Sequence, residues 1–600
     1  MNKISIYALT FFLSLSSVTV YSQKNNKQVI FTNEQGSDIF YHTIERGQTV
    51  YAIATMYGVS VEDIYRLNPE SKEGIKAGST LRIPQKDSAI APSGKADNYT
   101  YHTIQPKETL YSLSIKYSVP ATDIIAANPG LSTSTFTIGK NIRIPPTRLE
   151  TLPTTEKKTV QKEMEYTIQK KETMYRICRK FDISSVELLR LNPELKNGVK
   201  AGMVIKIPVA SEEVITQNIR QEREVNALLS TPKDIKKVNR IQVALLLPFM
   251  TNETTQSSAT SRFVEYYEGL LLAVDSLRNM GTSIELSVYD TGNGTKKVKE
   301  ILKEDALSNA NLIIGAVQND QIGLIADFAQ KHNIKYVIPF TSKNDDVLSN
   351  ANVYQVNTPH SYLYSKAAQA GCDLFSDYNI ILVNIKDKEE KPEFIKAFKT
   401  EMQQRDIPFK EVTYKGDTFA TDIEAAMVRD KRNVVLPTSA SLDAVNKIKA
   451  PLRMLSELKE EEKEPYMVNL FGYPEWQTYT RECLEDFYAL NTYIYSNFYA
   501  DNLSPEVHSF YSDYKNWYSK NLINTFPKYG ILGFDTGMYF LGAINKYGSN
   551  FENNLDKIHY KSIQTGFDFH RVNNWGGFIN TNLFIVHYKN DYTVTRSEVR

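Results

Sequence analysis

The sequence predicts a multidomain chain: three small α+β modules of strand–helix–helix–strand order, followed by a larger α/β domain with parallel sheets. Two observations carry this. The phrase "LRLNPELKNGVKAGMVIKIP" (Leu189 to Pro208) has a close copy in "YRLNPESKEGIKAGSTLRIP" (Tyr65 to Pro84) and a looser one in "AANPGLSTSTFTIGKNIRIP", which ends at Pro145. From about Arg240 the texture changes to apolar strands alternating with amphipathic helices, the pattern of a parallel α/β sheet. Length agrees, because 600 residues exceed what one hydrophobic core holds.

Within a repeat the local signals follow one order. "YHTI" (Tyr41 to Ile44) alternates as a strand does. Thr49 caps a first helix that carries Val50, Ile53, Ala54 and Tyr57 at helical spacing. Ser60 caps a second helix with Val61, Ile64 and Leu67 facing inward, and in the third copy Ser184 and Glu187 stand at capping-box spacing. Asn68-Pro69, Asn128-Pro129 and Asn192-Pro193 stop that helix, since the residue before proline is pushed out of α geometry. Gly78, Gly139 and Gly202 then precede a closing strand that ends in Ile-Pro. The modules are expected at 41–84, 100–145 and 165–208, and the polar stretches Gln85 to Asn98 and Pro146 to Glu163 read as flexible linkers.

Residues 209–239 form a polar connector whose "ASEEVITQNIRQEREVNALLS" (Ala210 to Ser230) is helix-capable. The large domain, 240–600, then opens with the strand "IQVALLLPF" (Ile241 to Phe249) and a helix from Arg262 to Gly281. A strand from Ile284 to Gly292, a helix from Lys296 to Ser308 and the strand "NLIIGAV" (Asn311 to Val317) follow. A helix from Gln321 leads to the strand "IKYVIPF" (Ile334 to Phe340).

Composition removes several classes of function. With 70 basic against 69 acidic residues the net charge is +1, so no nucleic-acid partner is expected. Lys3 followed by the uncharged "ISIYALTFFLSLSSVTV" (Ile4 to Val20) reads as an export signal cut near Ser22 or Gln23, leaving no membrane span; a retained anchor is the alternative. Cys178, Cys372 and Cys483 are too scattered for a metal site, and buried free thiols are the simpler expectation beside one Cys372–Cys483 bridge. None of the eight histidines has zinc-hydrolase spacing, and neither GxSxG nor a Walker loop occurs. No catalytic residue, metal or cofactor is expected.

The repeated unit "HTIERGQTVYAIATMYGVSVEDIYRLNP…IKAGSTLRIP" resembles a LysM module along its whole length, as do the other two copies. The resemblance implies binding of the N-acetylglucosamine-containing chains of peptidoglycan or a related polymer. The implied groove is lined by Gly47, Thr49, Val50, Ile75 and Lys76 in the first copy, Thr109, Leu110 and Ile138 in the second, and Thr173, Met174, Val199 and Lys200 in the third. Where the first copy has Gly47, the others have Lys107 and Lys171, so the first is expected to bind best.

The pattern from Arg240 to Val594, including "YDTGNGTKKVKEIL" and "LGFDTGMYFLGAI", resembles the type I periplasmic-binding-protein fold of branched-chain amino-acid receptors. That implies two lobes: Arg240 to Thr358 with roughly Tyr493 to Asn545, and Pro359 to Asn491 with the C-terminal part. Ligands of open α/β sheets bind off the carboxyl ends of strands, here at Gln318 and Asn319 and at Thr341 and Ser342, although Asp320 repels a carboxylate. The expected function is therefore a non-enzymatic exported protein, periplasmic or wall-associated, that grips peptidoglycan and uses a receptor-like domain for an envelope protein partner or a wall-derived ligand. The alternatives are a wall-tethered solute-binding protein of an amino-acid uptake system and, last, a protein associated with cell-wall hydrolysis.

Overall fold

Each repeat closes on antiparallel strands whose core is only a handful of apolar side chains. In a computed structural model the described residues are 29–32, 38–43, 49–84 apart from 51–52, 55–58, 60, 73 and 76–79, 99–146 apart from 139, 162–209 apart from 171 and 182, 222–230, and 237–599 apart from 252–256, 343, 359 and 458–463. They fall into two units: one is Lys95–Asp234 with Asn573–Gly576, the other is the remainder.

The first repeat holds β1 (Val29–Thr32), β2 (Asp38–Thr43), α1 (Val61–Leu67) and β3 (Thr80–Pro84), with β1 and β3 flanking β2 in one antiparallel sheet. Strand β1 is an addition to the four elements expected from the sequence; Val29 pairs with Tyr41 and Thr32 with Asp38. The second repeat is β4 (Thr100–Thr103), α2 (Leu110–Tyr117), α3 (Ala121–Ala127) and β5 (Asn141–Ile144). The third is β6 (Lys162–Thr167), α4 (Met174–Phe181), α5 (Ser185–Leu191) and β7 (Val204–Val209).

The asparagine before each proline does more than end a helix. Asn128 is fully buried; its amide donates to the Ile124 and Arg143 carbonyls, both at 2.7 Å, and its oxygen accepts the Arg143 N–H at 2.8 Å. Asn192 repeats this with Leu188 and Lys206. One carboxamide thus ties the end of the second helix to the closing strand, which matters where the core is small. Ser184 accepts the Glu187 N–H at 3.1 Å as its spacing predicts, and Thr109 with Ser112 forms a complete capping box.

In the large domain the first lobe starts with β8 (Ile241–Leu247), α6 (Ser258–Asn279), β9 (Ile284–Asp290), α7 (Lys296–Ile301), α8 (Asp305–Ser308), β10 (Leu312–Gly315), α9 (Asn319–His332), β11 (Lys335–Ile338) and β12 (Val353–Gln355). The second lobe runs through α10 (His360–Phe375), β13 (Asn379–Asn384), α11 (Pro392–Gln404), β14 (Phe409–Thr413), α12 (Phe419–Ala426), β15 (Asn433–Pro437), α13 (Leu442–Glu457), β16 (Val468–Gly472), α14 (Thr480–Ala489) and β17 (Tyr493–Ser496). Helices α15 (Pro505–Tyr518) and α16 (Tyr529–Tyr547) return to the first lobe. The chain ends with β18 (Phe569–Arg571), β19 (Phe578–Asn580), β20 (Phe584–Tyr588) and β21 (Val594–Glu598).

Two mainly parallel seven-stranded sheets result, ordered β18-β19-β12-β11-β10-β8-β9 and β14-β13-β15-β16-β17-β20-β21. The expected two-lobed α/β fold is therefore present, with two corrections to its boundaries. Strand β17 pairs with β16 through Phe471 and Tyr493, so Tyr493 belongs to the second lobe. The C-terminal part is divided, because β19 joins β12 in the first sheet while β20 joins β17 in the second. The segment Lys296 to Ser308, expected as one helix, is the pair α7 and α8.

Helices α6 and α16 pack closely because glycines face each other's backbone. A Cβ on Gly269 would sit 1.7 Å from the Gly530 carbonyl oxygen, so no larger residue fits. Further along α16, the wholly buried Asp535 carboxylate accepts the N–H groups of Ile563, Gln564 and Thr565 at 2.8–2.9 Å and the Tyr560 hydroxyl at 3.0 Å. Burial pushes its pKa up to about 6 despite these donors. The loop it holds bridges back to a crossing between the lobes, where Phe498 pairs with Thr565 and Tyr499 donates to the Gln564 carbonyl. At the other crossings the Thr358 hydroxyl donates to the Asn580 carbonyl at 2.7 Å. Cys372 and Cys483 are buried and unbridged, and Cys178 is a half-buried free thiol.

Candidate functional site

In the second and third repeats the first helix is aimed by the loop before it. In the second repeat Glu108 accepts the Gln105 N–H at 2.8 Å, lies 2.6 Å from His102 Nε2, and accepts from Lys116 Nζ at 3.0 Å. Burial lowers the His102 pKa in spite of this carboxylate. In the third repeat Glu172 accepts the Gln169 N–H at 2.8 Å and the Tyr166 hydroxyl at 2.7 Å, with Lys180 donating to that hydroxyl. The same glutamine, glutamate and lysine recur around Thr109 and Thr173, with His102 in the second repeat standing where the third has Tyr166. Lys107 adopts a left-handed φ of 70°. A side chain there costs roughly 1–2 kcal/mol. Gly47, Lys76 and Lys171 lie outside the described residues.

The groove residues expected from sequence separate into two kinds. Val50, Ile75 and Leu110 are 6%, 9% and 0% exposed and pack into the cores of their own repeats. For Val50 and Leu110 the cause is helical phase, since the residue just after the cap turns inward. Thr49, Val50 and Ile75 also border a cavity of about 70 Å³ closed by Tyr364 on α10 and Lys396 on α11. Lys396 Nζ donates to the Ser71 and Lys72 carbonyls at 2.9 and 2.7 Å. In the second repeat Ile138 is 57% exposed, and the half-buried Thr109 donates its hydroxyl to Glu222 at 3.3 Å. In the third, Thr173 and Lys200 are exposed, Met174 and Val199 are half-buried, and Tyr175 next to them is 72% exposed.

Gln318, Asn319, Thr341 and Ser342 all lie at the carboxyl ends of the adjacent parallel strands β10 and β11. Gln318 is engaged within the fold: its oxygen accepts the Gly294 N–H at 3.1 Å and its amide donates to Asn293 at 3.2 Å. The buried Gln321 amide donates to the Gly292 and Gly294 carbonyls, and Gln355 donates to the Thr341 carbonyl. Asp290 on the same edge accepts the Met250, Thr251 and Gly292 N–H groups and pairs with Lys297; these donors hold its carboxyl far below the usual range against the effect of its burial. The first-lobe edge is thus cross-linked by its own polar groups.

The second lobe presents something the sequence reading missed. A cavity of about 1520 Å³ opens between the first-repeat residues Lys72, Gly74 and Ile75 and the carboxyl ends of β13, β14 and β15, bordered by Asn384, Thr413 and Thr438, by Glu390 and by the lysines Lys386, Lys399 and Lys447. Lys399 pairs with Glu411 and Lys447 with Asp443. No local motif marks these lysines, because the loop after β13 and the helices α11 and α13 bring them together. The segment beginning at Glu222 is helical, as its helix-capable sequence predicts, but that it packs on the second repeat was not read from the sequence. Among the described residues no three His, Cys, Asp or Glu side chains gather to hold a metal ion, and no helix is long and apolar enough to cross a membrane.

Comparison with known proteins bears on both parts. Residues 42–84, 102–145 and 166–208 each match the LysM domain, so the chain carries three LysM domains. Among curated proteins it is 30% identical over 115 residues to an autolysin of Enterococcus faecalis (strain ATCC 700802 / V583), covering 19% of this chain and 16% of that protein. It is 23% identical over 159 residues to the N-acetylmuramoyl-L-alanine amidase sle1 of Staphylococcus aureus (strain MRSA252), covering 25% and 47%. The chain thus spans less than half the length of these relatives, and the autolysin matches run through the LysM region. Among solved structures it is similar to a branched-chain amino acid ABC transporter periplasmic ligand-binding protein from Burkholderia xenovorans LB400, at 12% identity and a TM-score of 0.40, covering 60% of this chain and 95% of that one. An ABC-type branched-chain amino acid transporter from Rhodopseudomonas palustris CGA009 matches at 11% identity and a TM-score of 0.40, covering 60% and 96%. The architecture of the large domain rests on its own sheets.

Proposed function

We propose that the chain is a non-enzymatic, exported cell-envelope protein held to N-acetylglucosamine-containing peptidoglycan by its LysM repeats. On this reading the two-lobed domain receives an envelope protein partner or a wall-derived ligand. The supporting observation is the match of three LysM domains, of which the third keeps Thr173 and Lys200 on an accessible surface beside Tyr175. Linked sites on one glycan mesh gain avidity without further contacts.

The test is co-sedimentation of the purified full-length protein with insoluble peptidoglycan, followed by analysis of the released material. The expected outcome is a protein that pellets with the wall, is displaced by chito-oligosaccharides and releases no muropeptides. A protein that stays in the supernatant, or that digests the wall, overturns the reading.

A further inference from the structure

We propose that the groove of the second repeat is a docking site for a segment of this same chain, Glu222–Leu229, which competes there with glycan. The inference rests on the glycan-binding reading above and adds which repeats are open to glycan. Residues 222–227 are helical and continue into the turn Leu228–Ser230. Glu222, Val225, Asn226 and Leu229 are half-buried while Arg223, Glu224, Ala227 and Leu228 are exposed. The four stand at i, i+3, i+4 and i+7, the stripe by which a helix covers a surface.

Each residue of the stripe has a partner on the second repeat. Glu222 accepts the Thr109 hydroxyl at 3.3 Å, and the Asn226 side-chain oxygen accepts the Tyr111 N–H at 3.2 Å. Val225 and Leu229 pack against the cluster that contains Ile104, Leu110 and Leu113. The Tyr111 N–H belongs to the first turn of α2, where backbone donors have no partner inside the helix. A carboxamide oxygen is the acceptor it receives, the same chemical group that an N-acetylated sugar offers. The segment therefore satisfies the donors of the Thr109 lip as such a ligand would, while the opposite lip stays open at Ile138.

The third repeat differs at the matching places, with Thr173 and Tyr175 exposed. In the first, Thr49 borders a cavity closed by α10 and α11. Accessibility thus orders the copies with the third ahead, the reverse of the order expected from Gly47.

Hydrogen–deuterium exchange of the full-length protein with and without chitohexaose reads each repeat separately. In the wild type the sugar is expected to slow exchange over 173–181 and to leave 110–117 unchanged. In Glu222→Ala/Asn226→Ala the Tyr111 amide of the free protein exchanges roughly fivefold to tenfold faster, as expected when one hydrogen bond is lost, and 110–117 becomes sugar-protected. Val225→Asp, which removes the apolar contact instead, is expected to do the same. Protection of 110–117 in the wild type overturns the proposal. So does a third repeat that responds to sugar while 110–117 responds in neither variant. If no repeat responds in any protein, the glycan reading falls and this proposal with it.

Discussion

The second repeat and the first lobe each hold a completely buried polar side chain at a structural junction, Asn128 and Asp535, and the two have opposite chemistry. Asn128 clamps a repeat whose core is about nine apolar residues, using a neutral group that donates twice and accepts once. Asp535 sits in a far larger core and accepts four hydrogen bonds as an acid. A neutral clamp holds at any pH and asks little of its surroundings. A buried acid demands a shell of donors and makes the stability of its lobe depend on protonation. The small module has no room for that shell.

The contrast is broken most sharply at Asp535. Asp535→Ala leaves three backbone N–H groups and one hydroxyl buried without an acceptor, so it is expected to destabilise the large domain by about 3–5 kcal/mol. Urea unfolding followed through near-UV circular dichroism checks this, and a loss under about 1 kcal/mol would mean that other groups hold the loop. Asn128→Ala should cost about 2–3 kcal/mol, confined to the second repeat. Exchange should quicken across 100–144 and stay unchanged across 162–209; a change shared by both repeats would show that they unfold as one.

The smallest effect concerns pH. Asp535 has a folded-state pKa raised from 3.8 to about 6, so its stabilising contribution is complete below the unfolded value and is lost as pH rises through about 6. His587 on β20, stacked on Tyr493 and lowered by burial to about 4, acts oppositely: its contribution is present above 6.5 and is lost as pH falls. Between pH 6.5 and 5 the two oppose each other in the wild type. Acidification over that range should leave Asp535→Asn less stable, relative to wild type, by about 1 kcal/mol. His587→Asn should shift the other way by less, because water reaches a half-buried ring. Chemical denaturation at both pH values decides the signs.

Much of this fold is legible in the sequence, and the reasons it stops being so are specific. Helical spacing and the Asn-Pro stops give the repeats, and apolar strands alternating with helices give the parallel sheets. Asn128 as a clamp is not legible, since its partner Arg143 lies on the far strand and only folding brings them together. Strand β17 is recognisable as a strand, yet its lobe is decided by which sheet edge has a free partner in register. The groove follows the same pattern. Thr173 and Lys200 are accessible, while Leu110 is drawn into a core by the phase of its helix. The stripe from Glu222 to Leu229 could have been found from its spacing alone; which surface it covers could not.

The division of the last strands between two sheets has a consequence for how the protein is made. Strand β19 completes the first lobe against β12, more than 220 residues earlier, and β20 and β21 complete the second. Each repeat is whole as soon as its own forty-odd residues exist, so the repeats fold early and locally. Neither lobe has its full sheet until the final stretch is synthesised, roughly 390 residues after the third repeat ends at Val209. At ribosomal rates that interval is roughly 20–80 s. From the synthesis of β12 to that of β19, roughly 10–45 s at the same rates, the edge of β12 stands unpaired, an open template for the wrong strand. The large domain is therefore the part whose birth most calls for a chaperone.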